Sequence, residues 1–299
     1  MPELEYFVVD VFTGIALAGN PLAVVIDSVG LETERMQAIA REFNLSETTF
    51  VQRRSAAVEE TDGVRVRIFT TQEELPFAGH PTLGTASVIR LYAPQTVQNG
   101  IVTLALNVGP IRVRFEGEGL FAEMTQRNPE FGAELDAMEV AQLTGLDRDD
   151  LDPILPPQIV STGNAFAIVP LRSAIPLARL KVKQQEATAW LRERGARWFY
   201  VLGPASEQTE AGAPSEYRAR MQFNGGEDPA TGSAAGCAIS YLVARGAVAS
   251  GQRITLSQGI EMRRPSELTL SAKLDSARVT DVRVAGSTVL VAKGHLFLW

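Results

Sequence analysis

Cysteine and histidine are nearly absent from this 299-residue chain: one cysteine, Cys237, and two histidines, His80 and His295. A single thiol excludes an internal disulfide, and two imidazoles cannot build a histidine-rich metal centre. Basic residues are too few for a nucleic-acid face, because 28 lysines and arginines stand against 35 acids, a net charge of −7. Binding to a polyanion calls for the opposite balance. No apolar run of 18 or more residues occurs, so no membrane-spanning helix is expected, and the chain opens on a strand-like run rather than a signal sequence. Those absences lead us to expect a cytoplasmic protein without nucleic-acid or membrane partners. What is present is ordinary globular material, 45% hydrophobic and 21% charged, long enough for about two domains.

The sequence repeats itself. Gly19-Asn20-Pro21-Leu22-Ala23-Val24-Val25 reads against Gly163-Asn164-Ala165-Phe166-Ala167-Ile168-Val169, and His80-Pro81-Thr82-Leu83-Gly84-Thr85-Ala86 against Asp228-Pro229-Ala230-Thr231-Gly232-Ser233-Ala234. Between them, the alternating Val64–Phe69 run has a counterpart in Tyr217–Phe223. We expect two copies of one fold, joined near 125–133, with an N-terminal half of 1–128 plus 286–299 and a C-terminal half of 129–285. In the first copy, strands are expected at 4–12, 21–26, 48–53, 64–70, 101–106, 111–115 and 120–124. Met36, Ile39, Ala40 and Phe43 carry the stripe of an amphipathic helix over 33–43, and a second helix follows at 81–92. The second copy should hold strands at 158–161, 166–170, 197–202 and 217–223. Its helices fall at 184–194 and 230–244, and a loop occupies 225–229.

Two of these helices lack charge on any side: Thr82–Ile89 and Ala234–Ala244. Such a helix must be surrounded by protein. The expected class is α+β: a curved, mostly antiparallel sheet wrapped around one buried helix, made twice. Cys237 then falls inside the second buried helix, as a core residue rather than a nucleophile.

Chemistry is expected where these helices begin. His80 and Asp228 each precede a proline, Asp228 would serve as an N-cap, and Gly84, Thr85, Ala86, Gly232, Ser233 and Ala234 are small. Helix starts offer free N–H groups to anions, so two of them facing one cleft would hold a small carboxylate. Glu47, between the first helix and a Val/Phe strand, is the general-base candidate. Aligning Thr49-Phe50-Val51 with Phe199-Tyr200-Val201 sets Arg197 opposite Glu47, so the base is not duplicated. The acidic pairs Glu59-Glu60, Glu73-Glu74 and Asp149-Asp150 read as solvated surface. Gly225-Gly226 lacks the following Gly-Lys-Ser/Thr of a phosphate loop.

Several of these segments also resemble one family. Val9-Asp10-Val11-Phe12, Ala18–Val24, Asn44–Thr48, Glu74–Gly84, Glu227–Ala234, Gln258-Gly259 and Arg264-Pro265-Ser266 are similar to the motifs of the PhzF, phenazine biosynthesis-like, family. The resemblance spans nearly the whole chain. It implies the diaminopimelate epimerase fold, with two pseudo-symmetric barrel-like halves around central helices and the site between them. It further implies that Glu47 moves a proton and that Gly79, His80, Asp228, Gly232 and Ser233 bind substrate. Neither metal nor organic cofactor is implied, and the assembly would be a homodimer. Epimerases of that wider fold work with two thiols, which this inventory excludes. A cofactor-independent isomerase acting on a small carboxylate is therefore expected. A hydrolase or lyase on the same site, and a non-catalytic metabolite-binding protein, are the alternatives.

Overall fold

In the computed structural model, which describes residues 3–205 and 214–298, the chain has a mixed α/β fold with eighteen strands and six α-helices among those residues. It divides into two compact units, Met1–Thr125 with Ala285–Trp299, and Gln126–Val284.

The first unit begins with β1 (Glu3–Val11), β2 (Asn20–Val25), α1 (Thr33–Phe43), β3 (Glu47–Gln52), α2 (Ala56–Asp62), β4 (Val64–Phe69) and β5 (Glu74–Leu75). It continues through α3 (Gly79–Tyr92), β6 (Ile101–Leu106), β7 (Gly109–Phe115) and β8 (Ala122–Thr125). The second unit comprises β9 (Glu130–Glu134), α4 (Ala137–Thr144), β10 (Gln158–Ser161), β11 (Ala165–Pro170), α5 (Gln184–Glu193) and β12 (Trp198–Pro204). After these come β13 (Glu216–Phe223), β14 (Gly226–Asp228), α6 (Gly232–Ala244), β15 (Ile254–Gln258), β16 (Ser266–Asp275) and β17 (Arg278–Gly286). The chain then returns to the first unit as β18 (Thr288–Phe297), antiparallel to β1 along its whole length.

Local chemistry accounts for the elements that flank the site. Helix α1 buries Met36, Ile39 and Ala40 and stops at Asn44, a left-handed residue (φ 50°) whose N–H closes on the Ala40 carbonyl. Helix α3 is buried from Gly79 to Ile89, and α6 is buried through Val243 apart from Ser233. Strands β1, β2, β3, β6, β7, β8 and β18 all pack on α3, and β10, β11 and β16 on α6. The small residues of α3 serve this packing. A Cβ on Gly84 would lie 2.6 Å from Leu22 and 2.7 Å from Val11. The expectation that Gly84, Thr85 and Ala86 admit a ligand to the backbone is therefore corrected: all three are in the core.

Strand pairing within each unit follows one plan. In the first, β1–β2 is antiparallel, β2–β3 parallel, β3–β4 and β4–β5 antiparallel, β4–β6 parallel and β6–β7 antiparallel. The second unit has the same sequence of senses in β10–β11, β11–β12, β12–β13, β13–β14, β13–β15 and β15–β16.

The registers amend the alignment read from sequence. Phe69 pairs with Glu74 and Gln222 with Glu227, while Gly79 and Gly232 open the two buried helices. Glu74 thus corresponds to Glu227, Leu75 to Asp228 and His80 to Ser233; the His80–Asp228 correspondence suggested by the shared proline does not hold. Likewise Leu22 pairs with Glu47 and its counterpart Phe166 with Trp198, so Trp198, not Arg197, occupies the place of Glu47. Helices α2 and α4 and strands β5, β9 and β14 were not expected from the sequence. Strand β14 replaces part of the expected 225–229 loop because it pairs with β13.

Candidate functional site

Glu47 is the first residue of β3, half-buried where the next four residues are fully buried. Side chains two apart on a strand share a face. Thr49 therefore shares the face of Glu47, and its Oγ1 lies 2.8 Å from Thr85 Oγ1 on α3. That contact turns the face of β3 toward the helix. Its opening turn carries His80, whose Nε2 is 3.4 Å from Glu47 Oε2. On its other side, His80 Nδ1 is 3.2 Å from Asn20 Nδ2, at the first position of β2.

Asn20 is held there by its neighbour. Gly19 has φ +65°, and a Cβ on it would fall 2.4 Å from the Val11 carbonyl oxygen, so the approach of β2 to β1 requires glycine. Asp10 accepts the Leu17 N–H at 2.7 Å and braces the same loop. Asn20 was not among the expected site residues. Its signal was present in the Gly-Asn pair shared by both copies.

The electrostatics of His80 follow from burial. The residue is 4% exposed, and loss of hydration for the charged form lowers its pKa to about 3, opposed by a hydrogen bond with the Pro21 backbone. Geometry alone would classify His80–Glu47 as an ion pair. The ring is neutral at physiological pH, so the contact is one of dipole and proton rather than of opposite charges. His80 Nε2 and Thr48 Oγ1 are buried without a hydrogen-bond partner.

Helix α3 starts without a side-chain cap, at Ala78. Its first intrahelical bond reaches the Thr82 N–H, so the Gly79 and His80 amides precede the ladder. Pro81 is the third helical residue rather than the first, a place where its missing N–H still costs nothing.

In the second unit, Asp228 is not the N-cap of α6 as the sequence suggested. It ends β14, and the cap position is Thr231. Thr231 Oγ1 donates to Asp228 Oδ2 at 2.7 Å. Buried Gln258 ties the turn together: Nε2 donates to the Asp228 carbonyl (2.7 Å) and to Thr231 Oγ1 (2.9 Å). Its Oε1 accepts from Tyr200 Oη and the Thr231 N–H. All four hydrogen-bonding capacities of that amide are filled. Gly259, at φ +75°, has no room for a Cβ against the Arg264 and Pro229 carbonyls, which explains why glycine follows Gln258. Ser233 and Asp228 are half-buried, and Gly232 is buried. Cys237 is fully buried, and burial pushes its thiol up to about 11, as befits a core residue.

The acidic pairs are corrected in part. Glu59 is buried and bidentate to Arg53, Glu74 is bidentate to Arg67, and Asp150 pairs with Arg179. Only Glu60, Glu73 and Asp149 are solvent-exposed. Glu74 and Glu227 lead the two site motifs. Each grips an arginine seven residues upstream, Glu227 holding Arg220 through Nε (2.8 Å) and Nη2 (2.5 Å). His295 is exposed, 3.5 Å from Glu3. Among the described residues, no three or more His, Cys, Asp and Glu side chains are grouped to hold a metal. Within the same residues, no helix is long and apolar enough to cross a membrane.

The phenazine biosynthesis-like protein family, PhzC-PhzF, matches residues 9–294. An uncharacterized isomerase of Mesorhizobium japonicum is 35% identical with both chains covered in full. The trans-2,3-dihydro-3-hydroxyanthranilate isomerase of Pseudomonas aeruginosa is 34% identical, over 98% of this chain and 99% of its own. Among solved structures, a Bacillus anthracis phenazine biosynthesis protein of the PhzF family superposes with a TM-score of 0.84 at 26% identity, over the whole of both chains. On this match the chain belongs to the phenazine biosynthesis-like (PhzC-PhzF) family and is an enzyme of the isomerase kind.

Proposed function

We propose that the protein is a cofactor-independent isomerase that moves a proton between carbons of a small carboxylate, with Glu47 as the single acid–base group. The observation that carries this reading is the Glu47–His80 contact of 3.4 Å at the opening turn of a buried helix. Glu47 takes a proton from carbon and returns it to another carbon. The Gly79 and His80 amides, with the His80 ring, offset the enolate-like charge that develops, as preorganised donors do. Asp228, Gly232 and Ser233 bind the polar groups of the substrate, a role that rests on the family resemblance. The two units, sharing one pairing plan, are read as copies of one barrel-like half around its helix, and the working protein as a cytoplasmic homodimer.

The named substrate of the Pseudomonas relatives is a cyclic acid bearing amino and hydroxyl groups. An unsaturated or cyclic amino or hydroxy acid is accordingly the class proposed here. Incubating the enzyme with a library of such acids in heavy water tests the reading. Deuterium should enter a carbon position without a change in product composition. Glu47→Gln should lower turnover by about two to four orders of magnitude with little change in binding. A product of altered composition would favour a hydrolase or lyase, and a ligand recovered without deuterium a binding protein.

A further inference from the structure

We propose that Thr231 is a positioning residue, which fixes the carboxyl group of Asp228 as a hydrogen-bond acceptor through a one-way chain of donors beginning at Gln258. The orientation of the Gln258 amide is set twice. Its Oε1 faces the Thr231 N–H at 3.2 Å, a group that only donates, and its Nε2 faces the Asp228 carbonyl at 2.7 Å, a group that only accepts. The second hydrogen on Nε2 is left for Thr231 Oγ1, at 2.9 Å. A hydroxyl has one proton. With Oγ1 accepting from Gln258, that proton points to Asp228 Oδ2, 2.7 Å away. Gln258 and Thr231 are both buried.

Two observations separate this chain from ordinary helix capping. Thr231 occupies the N-cap of α6, where a threonine hydroxyl commonly accepts a helix N–H, yet it makes no such bond. The first unit, moreover, builds the same turn without polar groups. Counting back from Phe69 and Gln222, Val64 matches Tyr217; these pair with Leu104 and Leu256. Leu106, the last residue of β6, therefore corresponds to Gln258, the last of β15, and Ala78 precedes Gly79 as Thr231 precedes Gly232. Leu75, Ala78 and Leu106 thus stand where the second unit has Asp228, Thr231 and Gln258. Hairpin and buried helix form with apolar residues at all three places, so the polar chain is not a requirement of the turn. Its product is an acid whose Oδ2 already accepts a proton donor. Such a group meets the ammonium or hydroxyl of a substrate rather than its carboxylate. That consequence rests on the proposed binding role of Asp228, whereas the direction of the hydrogen bonds does not.

The test follows the Asp228 side chain in the full-length, isotope-labelled protein by NMR at neutral pH. Three-bond couplings from its carboxyl carbon to the backbone report χ1, with Asp228→Asn assigning the signal. Wild type should show the couplings of one staggered rotamer. Thr231→Val should give averaged values, and Thr231→Ser, which keeps the hydroxyl, should restore them. Couplings unchanged in Thr231→Val, or not restored by Thr231→Ser, overturn the proposal. The wild-type hydroxyl supplies a measurement that needs no variant: in mixed light and heavy water, Thr231 Cβ should give separate signals for its protonated and deuterated hydroxyl. A hydroxyl averaged with solvent, or an Asp228 rotamer already averaged in wild type, overturns the proposal even if Thr231→Val does not fold. Turnover retained by Glu47→Gln would remove the acid–base reading while leaving these spectra as they stand.

Discussion

His80 concentrates the energetics of the site in one ring. Its pKa in the folded protein is about 3, against 6.5 when unfolded. Below pH 6.5 the unfolded chain binds a proton that the native ring refuses, so native stability falls as pH drops from about 6.5 toward 3 and is fully present above that window. The slope is about 1.4 kcal/mol per pH unit within it. Denaturant unfolding at pH 7 and pH 5 should show wild type losing about 1–2 kcal/mol more than His80→Gln between the two. Equal losses would mean that the ring is hydrated and titrates normally. At Gly84, a methyl would meet Leu22 and Val11 at distances that real Cβ atoms do not reach. Gly84→Ala should destabilise by about 1–3 kcal/mol, the usual range for overpacking a core, despite alanine's better helix propensity. The midpoint of thermal or denaturant unfolding measures it.

At the scale of elements, the two hairpins that lead into α3 and α6 are each closed by a bidentate arginine–glutamate clamp, Arg67–Glu74 and Arg220–Glu227. Side chains of the first pair are 16% and 23% exposed, those of the second 9% and 11%. Removing one partner of a buried pair strands the other charge, which costs about 3–5 kcal/mol, and solvent relieves that cost as exposure rises. Glu227→Ala should therefore destabilise more than Glu74→Ala, as read by chemical denaturation. Equal effects would show that the difference in burial does not matter to the clamps. Arg220 also donates to the Leu177 carbonyl at 2.6 Å, so the second clamp reaches beyond its own hairpin.

For the whole molecule, connectivity and architecture part company. The second unit is one continuous segment, 126–284, whereas the first recruits the last fifteen residues of the chain. Strand β18 supplies β1 with its antiparallel partner from Glu3↔Phe297 to Val11↔Thr288. Deleting 285–299 should abolish slow amide exchange across 3–125 while leaving protected amides within 126–284, because only the first unit loses a strand. Hydrogen exchange with mass detection distinguishes this from global unfolding.

Much of this was legible in the order of residues. The periodicity of Met36, Ile39, Ala40 and Phe43 marks α1 to its ends. The lack of charge over Thr82–Ile89 of α3 and along α6 marks these stretches as buried, and the repeat appears in the text of the chain before any contact is known. Glu47 and His80 stood out as polar residues beside apolar runs. Tertiary structure alone decided the rest. Matching letters around a proline paired His80 with Asp228, but hydrogen-bond register pairs it with Ser233, since correspondence is set by which strands bond and not by which residues look alike. Glu59 and Glu74 read as solvated until folding brought Arg53 and Arg67 against them. Asn20, sixty residues from His80, became part of the site only when β2 and the first turn of α3 met. Local composition determines what each segment becomes. Proton and charge placement depend on partners distant in sequence, which only the folded chain assembles.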